Sequence, residues 1–273
     1  MALQSAQGIG DRGAIATRHR ISVAMTEAAM DPLPQSSRPP RPIRVLRQLW
    51  RLAVERPYRN VRWIQWRRPA GAFQPFNDTA LDRYPRIFRF VQDTLGARSE
   101  LKILSFGCST GDEVFSLRRF FPCALIKGID INPGNIAAAR ARLARSPDAL
   151  LLFAVGASTA AEPTGQYDAI FAMAVLRHGS LGRAGVTRCD HLIRFADFAT
   201  TIADFSRCLK PGGLLAIHHS NFRLCDAPAG AGFEPILSLE SPATGRKTPI
   251  FGPDNQLMKG VDYPDTVFRK HSE

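Results

Sequence analysis

Leu101-Lys-Ile-Leu-Ser-Phe-Gly-Cys-Ser-Thr-Gly-Asp-Glu113, a helical stretch, and then Ile126-Lys-Gly-Ile-Asp130 decide the fold of this chain. The order is an apolar strand, a glycine-bearing turn, a helix, and a second apolar strand closed by a carboxylate. Gly107 and Gly111 let the backbone turn tightly and approach a ligand with no Cβ in the way. The helix behind the turn offers the unpaired N–H groups of its first turn. Asp130 follows Gly111 by 19 positions and ends a strand where it can accept the hydroxyls of a ribose. These parts in this order suit a nucleoside.

The nicotinamide dinucleotide fingerprint requires glycines at relative positions 1, 3 and 6, where this chain has Gly107, Ser109 and Asp112. No Gly-Lys-Ser/Thr follows, so the P-loop is excluded as well. Asp112 and Glu113 in the first helical turn suit the helix dipole but repel a pyrophosphate, and the expected ligand therefore lacks phosphates.

The stretch resembles the first motif of class I S-adenosylmethionine-dependent methyltransferases, and the likeness continues down the chain. Gly128-Ile-Asp130-Ile-Asn132 is similar to the second motif. Tyr167-Asp-Ala-Ile-Phe-Ala-Met173, running on to Arg177-His178, resembles the fourth strand and its loop. Leu209-Lys-Pro-Gly-Gly213 and Leu-Leu-Ala-Ile-His218 resemble the turn and strand that come fifth, and Val267-Phe-Arg-Lys270 a closing strand. The Ser109–Glu113 turn is also similar to that of chemotaxis-receptor methyltransferases, over a short stretch. The resemblance implies a seven-stranded, mostly parallel Rossmann-like α/β sheet with helices on both faces, and S-adenosylmethionine as cofactor. It implies cofactor contacts at Ser105, Gly107, Cys108, Ser109, Gly111, Asp130, Ile131, Ala157 and Met173. Two positions depart from the family pattern: Ser105 stands where an acid often precedes the first glycine, and Ala157 where an acid often meets the adenine amine.

Periodicity alone predicts a helix over 84–95 with Ile87, Phe88, Val91 and Leu95 on one side. It predicts strands at about 101–106, 124–130, 150–155, 168–174 and 214–219, and helices over 113–120, 133–145 and within 192–208. Alternating strands and helices imply a parallel sheet with right-handed crossovers. In such sheets the ligand lies beyond the carboxyl ends of the strands. Candidate general bases there are His178, in the loop after the fourth strand, and His218 and His219, which end the fifth. Successive strand residues face opposite sides, so only one of His218 and His219 is expected to face the ligand. Loop 179–193, with Arg183, Arg188 and His191, is read either as a lid for an anionic substrate or as a solvated connector.

A net charge of +12 is unevenly placed. Residues 1–70 hold 13 Arg and no Lys against Asp11, Glu27, Asp31 and Glu55, a balance of +9. Residues 1–40 read as a disordered leader. Residues 41–84 read as a basic extension with a short amphipathic helix over 43–55, and 85–273 as the methyltransferase domain. The extension suits an acidic partner or a membrane surface through 41–70, or docking of its apolar face on the domain. Trp63, Trp66, Arg67 and Arg68 invite a nucleic-acid reading. Against it, apolar Ala172-Met-Ala-Val175 stands where amino-group nucleic-acid methyltransferases carry Asn-Pro-Pro-Tyr. The expected acceptor is a small molecule. Five scattered cysteines form no Cys-x-x-Cys pair, so neither a metal site nor a disulfide framework is expected, and the cytoplasm is the expected compartment. A non-catalytic binding protein of the same fold, acting through its arginine-rich head, is the alternative function.

Overall fold

The computed structural model describes Leu46, Trp50, Val54 and Trp66 singly, and then residues 71–74, 79–96, 98, 100–239 and 248–272. The expected leader at 1–40 and most of the expected extension at 41–84 lie outside the described residues. Leu46, Trp50 and Val54 are helical, as the sequence spacing predicts, and all three are exposed.

Seven strands form one sheet in the order β3-β2-β1-β4-β5-β7-β6. The strands are β1 (Lys102–Phe106), β2 (Leu125–Asp130), β3 (Leu151–Val155), β4 (Tyr167–Met173), β5 (Leu209–His218), β6 (Phe233–Ser238) and β7 (Asp265–Lys270). Strands β1 to β5 run parallel, and β7 is antiparallel to both β5 and β6. The helices are α1 (Pro85–Leu95), α2 (Asp112–Phe120), α3 (Pro133–Arg145) and α4 (Phe195–Cys208). The expected seven-stranded, mostly parallel sheet is the one observed.

Alternation along the central strands sends side chains into two cores. Ile103, Ala169, Phe171, Leu214 and Ala216 meet Ile87, Val91, Val114, Leu117 and Ile136 of α1, α2 and α3. Leu104, Phe106, Ile170, Leu215 and Ile217 meet Phe198, Ile202 and Phe205 of α4. At the amino ends of the strands Asp168 is a clamp. Its Oδ2 accepts from the Lys102 backbone N–H at 2.9 Å and from Lys210 Nζ at 2.8 Å, tying β1 and β5 to β4.

Two local expectations change. Leu209–Gly213, read as a turn before the fifth strand, belongs to β5 itself. Tyr167 pairs with Leu209 and Ala169 with Leu214, so the glycine pair is absorbed as a bulge in a continuous strand. Seven strands were expected, but the place of β6 in the chain was not read from the sequence. The strand contains Pro235, which a sheet tolerates at its edge, and β6 is an edge strand.

Candidate functional site

A cavity opens at the carboxyl ends of the central strands. The sheet order determines what each side supplies: Gly156 and Ala157 after β3, Asp130 to Asn132 from β2, Phe106 to Ser109 from β1, and Met173 to Val175 with Arg177 from β4. Gly107 has φ 77°, and a Cβ there would stand 2.3 Å from Val175 Cγ2, so only glycine fits the turn beside β4. Ser109 adopts a left-handed φ of 51°, and its buried Oγ has no hydrogen-bond partner. Of the residues expected to meet a nucleoside, Gly107, Cys108, Ser109, Asp130, Ile131, Ala157 and Met173 line the cavity. Gly111 lies behind the lining, packed against Phe115, Ala139 and Phe153. Ser105 is fully buried and reaches the cavity only through a neighbour.

That neighbour is Glu113. Helix α2 begins at Asp112 and brings the Glu113 carboxylate over the end of β1, where Ser105 Oγ donates to Oε1 at 2.7 Å. Burial pushes its carboxyl up to about 7, against the Ser105 hydrogen bond and the charge of Arg83. Sequence reasoning assigned Glu113 to the helix dipole and missed it as a cavity residue. The available signal was an acid eight residues beyond a serine that stands where an acid was expected.

Asp130 is the second buried carboxylate. Its Oδ2 accepts from the Ser109 N–H at 2.8 Å, and its Oδ1 from the Asn132 N–H at 2.8 Å and from Asn135 Nδ2 at 3.0 Å. Burial raises its pKa, and these three donors pull it back. Asp130 thus shapes the β1–α2 turn from the neighbouring strand, and Oδ2 keeps acceptor capacity toward the cavity. Cys108, beside both carboxylates, has its thiol held well above the usual range by burial and then by Asp130 and Glu113.

The three histidines stand outside the lining. His178 caps a short 3-10 turn at Gly179–Gly182, its Nδ1 accepting from the Ser180 N–H at 3.3 Å. His218 and His219 do not alternate as a strand would place them. His219 has φ 55°, the chain leaves β5 there, and the two rings lie 4.0 Å apart between centroids. Both pack against Tyr84, at 5.4 and 6.4 Å, and Tyr84 lines the cavity. Burial pushes both imidazoles down to about 4, reinforced at each by Arg83 and Arg177 and at His219 also by His218. They are neutral at physiological pH.

The segment before α1 closes the site, which periodicity did not anticipate. Phe73, 2% exposed, joins the core of β1, β4 and β5, and Gln74, Thr79, Arg83 and Tyr84 line the cavity. A Cβ on Gly71 would stand 2.5 Å from the Ala157 carbonyl oxygen, so this segment lies directly on the loop after β3. Loop 179–193 is pinned where a lid was one reading. The N–H of Cys189 donates to Asn255 O at 3.1 Å, the N–H of Leu257 donates to Thr187 O at 2.8 Å, and Leu181, Cys189 and Ile193 are buried. Arg188 pairs with Asp190 at 2.7 Å, and neither Arg183 nor Arg188 lines the cavity. Among the described residues no group of three or more His, Cys, Asp and Glu side chains is arranged to hold a metal ion, and no helix is long and apolar enough to cross a membrane.

Residues 104–215 match the family model described as a methyltransferase domain. No curated protein matches the sequence. Among solved structures, the YcgJ protein of Bacillus subtilis is similar at 15% identity and a TM-score of 0.37, covering 49% of this chain and 50% of that one. Phosphoethanolamine N-methyltransferase 2 of Haemonchus contortus is similar at 16% identity and 0.41, covering 62% of this chain and 34% of that one. A putative sarcosine dimethylglycine methyltransferase of Galdieria sulphuraria is similar at 18% identity and 0.38, covering 49% and 46%. The chain thus spans half or less of the length of these three proteins.

Proposed function

From the premise that residues 104–215 are a methyltransferase domain of class I architecture, we propose that the chain transfers a methyl group from S-adenosylmethionine to a small-molecule acceptor. The single observation that carries this reading is the pair of buried carboxylates, Asp130 and Glu113, on either side of the Gly107–Ser109 turn in one cavity. One suits a ribose, the other an ammonium, and S-adenosylmethionine presents both.

The residues present fit such a group. Asp130 would take the ribose through Oδ2, and Ser109 Oγ, buried with no hydrogen-bond partner, is free to meet a polar atom of the ligand. Glu113 would hold the amino end and so stands in for the acid that Ser105 lacks. Ile131, Ala157 and the Gly71 segment would enclose the base, its edge meeting backbone groups where no acid stands. Met173 would lie toward the reacting carbon. When bound, the cofactor supplies a sulfonium-activated methyl and its own leaving group. The chain's own contribution is alignment, which can be worth ~7–11 kcal/mol in a well-oriented displacement.

No histidine lines the cavity among the described residues. The reading therefore takes the acceptor to be nucleophilic without losing a proton to His178, His218 or His219. The same feature favours a second reading, a binding protein that holds the nucleoside without turnover. Calorimetry with S-adenosylhomocysteine tests the first step. Micromolar binding abolished by combined Asp130→Ala and Glu113→Gln supports both readings, and turnover then separates them. No heat with the wild-type chain sinks both.

A further inference from the structure

We infer that Leu46, Trp50, Val54 and Trp66 seat this chain on an anionic lipid bilayer, toward which the arginines of residues 41–70 draw it. The inference is independent of the methyl-transfer reading, and no cavity residue enters it.

The apolar half of the surface is four described residues. Leu46, Trp50 and Val54 are helical, 67, 59 and 59% exposed, and four positions apart, the step that keeps helical side chains on one face. Trp66 is helical as well and 78% exposed. Docking of this stripe on the domain was one expectation, yet the domain leaves the greater part of each residue bare. All three tryptophans of the chain stand close together, at 50, 63 and 66. A tryptophan ring is apolar in body and polar at its N–H, which suits the headgroup level of a bilayer.

The charge is read from the whole sequence and does not require any one arginine to be unpaired. Residues 41–70 hold nine Arg, no Lys and a single acid, Glu55. Residues 71–273 hold 23 Lys and Arg against 20 acids, so an acid lent to the segment leaves a cation bare elsewhere. Such a surplus attracts a surface of negative charge. The exclusive use of arginine suits phosphodiester oxygens, which its planar fork can meet two at a time. Anionic lipid and nucleic acid both offer that group, and Leu46 and Val54 decide between them. An aliphatic side chain finds an apolar phase in a bilayer, whereas a nucleic-acid strand rewards aromatic stacking. Arginines interleave with the apolar residues throughout 41–70, which suits a segment lying in the interface and not one crossing the hydrocarbon.

The test is vesicle binding. The full chain is pelleted with vesicles of phosphatidylcholine alone, or of phosphatidylcholine and phosphatidylserine in equal parts. It should bind the phosphatidylserine vesicles at least about tenfold more tightly. Every tryptophan lies between 50 and 66, so the emission reads this segment and nothing else, and it should shift to the blue on binding. Leu46→Gln with Val54→Gln should weaken binding at least about tenfold and suppress the shift. The melting temperature should hold, because both residues are exposed. Arg47→Gln with Arg51→Gln should narrow the preference for phosphatidylserine, which covers the case where the first pair folds poorly. No binding, or equal binding to the two vesicles, overturns the inference. So does binding that brings no blue shift and survives the Leu46 and Val54 changes, which would be adsorption by charge alone. Release from the vesicles by a single-stranded oligonucleotide, at less phosphate than the lipid presents, would assign the segment to nucleic acid and overturn it too.

Discussion

Ser105 on β1 and Glu113 on α2 are joined by a 2.7 Å hydrogen bond that presents a buried carboxyl to the cavity. A pKa of about 7 makes this group a proton carrier near neutrality. At pH 6 it is mostly protonated, and an ammonium beside it would drive it to the carboxylate. S-adenosylhomocysteine should therefore bind with release of close to one proton at pH 6, and its affinity should rise as pH goes from about 5.5 to 7. Calorimetry in buffers of different ionisation enthalpy measures this. Glu113→Gln should abolish the release and weaken binding on the order of tenfold or more. An unchanged proton count in the variant would show that the amino group lies elsewhere.

Ser109 holds a left-handed φ of 51° at the tightest point of the turn. A side chain in that region costs roughly 1–2 kcal/mol relative to glycine. Ser109→Gly should raise the urea midpoint by an amount corresponding to about 1 kcal/mol. It should also weaken S-adenosylhomocysteine, because Oγ is the buried atom awaiting a partner. A destabilised variant would show that the hydroxyl, and not the backbone angle, decides the stability of the turn.

Gly107 and Val175 meet across the β1–β4 gap, where a Cβ would stand 2.3 Å from Cγ2. Gly107→Ala should lose cofactor binding and lower the melting temperature. Adding Val175→Ala should recover part of the stability, since it clears the clash but leaves φ at 77°. Full recovery would assign the whole effect to space, and none would assign it to the backbone.

Much of this site was legible before any coordinates. The runs at 101–106 and 124–130 are apolar because both faces of a central parallel strand are covered, and their turn and terminal acid lie close in sequence. What was not legible came from elsewhere in the chain. Gln74 and Arg83 reach the cavity from before α1, where no period marks them, and Tyr84 reaches it from the cap of the helix that the sequence predicts over 84–95. Strand β6 hid behind Pro235 and its half-exposed edge position. His218 and His219 broke the period-two rule because a single positive φ ends β5 between them and the loop. A pattern rule describes a regular element, and the chemistry at issue begins where the element stops.

Asp168 separates folding from binding. It sits at the amino ends of the strands, 5% exposed in its side chain, and holds Lys210 Nζ at 2.8 Å and the Lys102 N–H at 2.9 Å. Asp168→Ala removes the carboxylate that the part-buried Lys102 N–H and the Lys210 ammonium share, and should cost about 1 kcal/mol in urea unfolding. S-adenosylhomocysteine affinity should stay unchanged, because the cavity opens at the other end of β4. Reduced affinity in a folded variant would show that the clamp sets the register of the β4 loop.

His218 and His219 give the stability of the chain a pH dependence of definite sign. Their folded pKa values are about 4, below the ordinary 6.5, so the unfolded chain takes up protons first as pH falls. Their neutral burial is fully compatible with folding above 6.5, and stability drains away between 6.5 and 4. Glu113 works the other way. Its folded value of about 7 against 4.5 means that the unfolded chain ionises first as pH rises, so it removes stability between 4.5 and 7. Urea midpoints measured from pH 4 to 8 should rise more steeply in Glu113→Gln than in the wild type up to about pH 6.5. They should lose most of that rise when His218→Asn and His219→Asn are added. A profile in Glu113→Gln parallel to the wild type would place its carboxyl in water, and with it would go the anchor for the amino end.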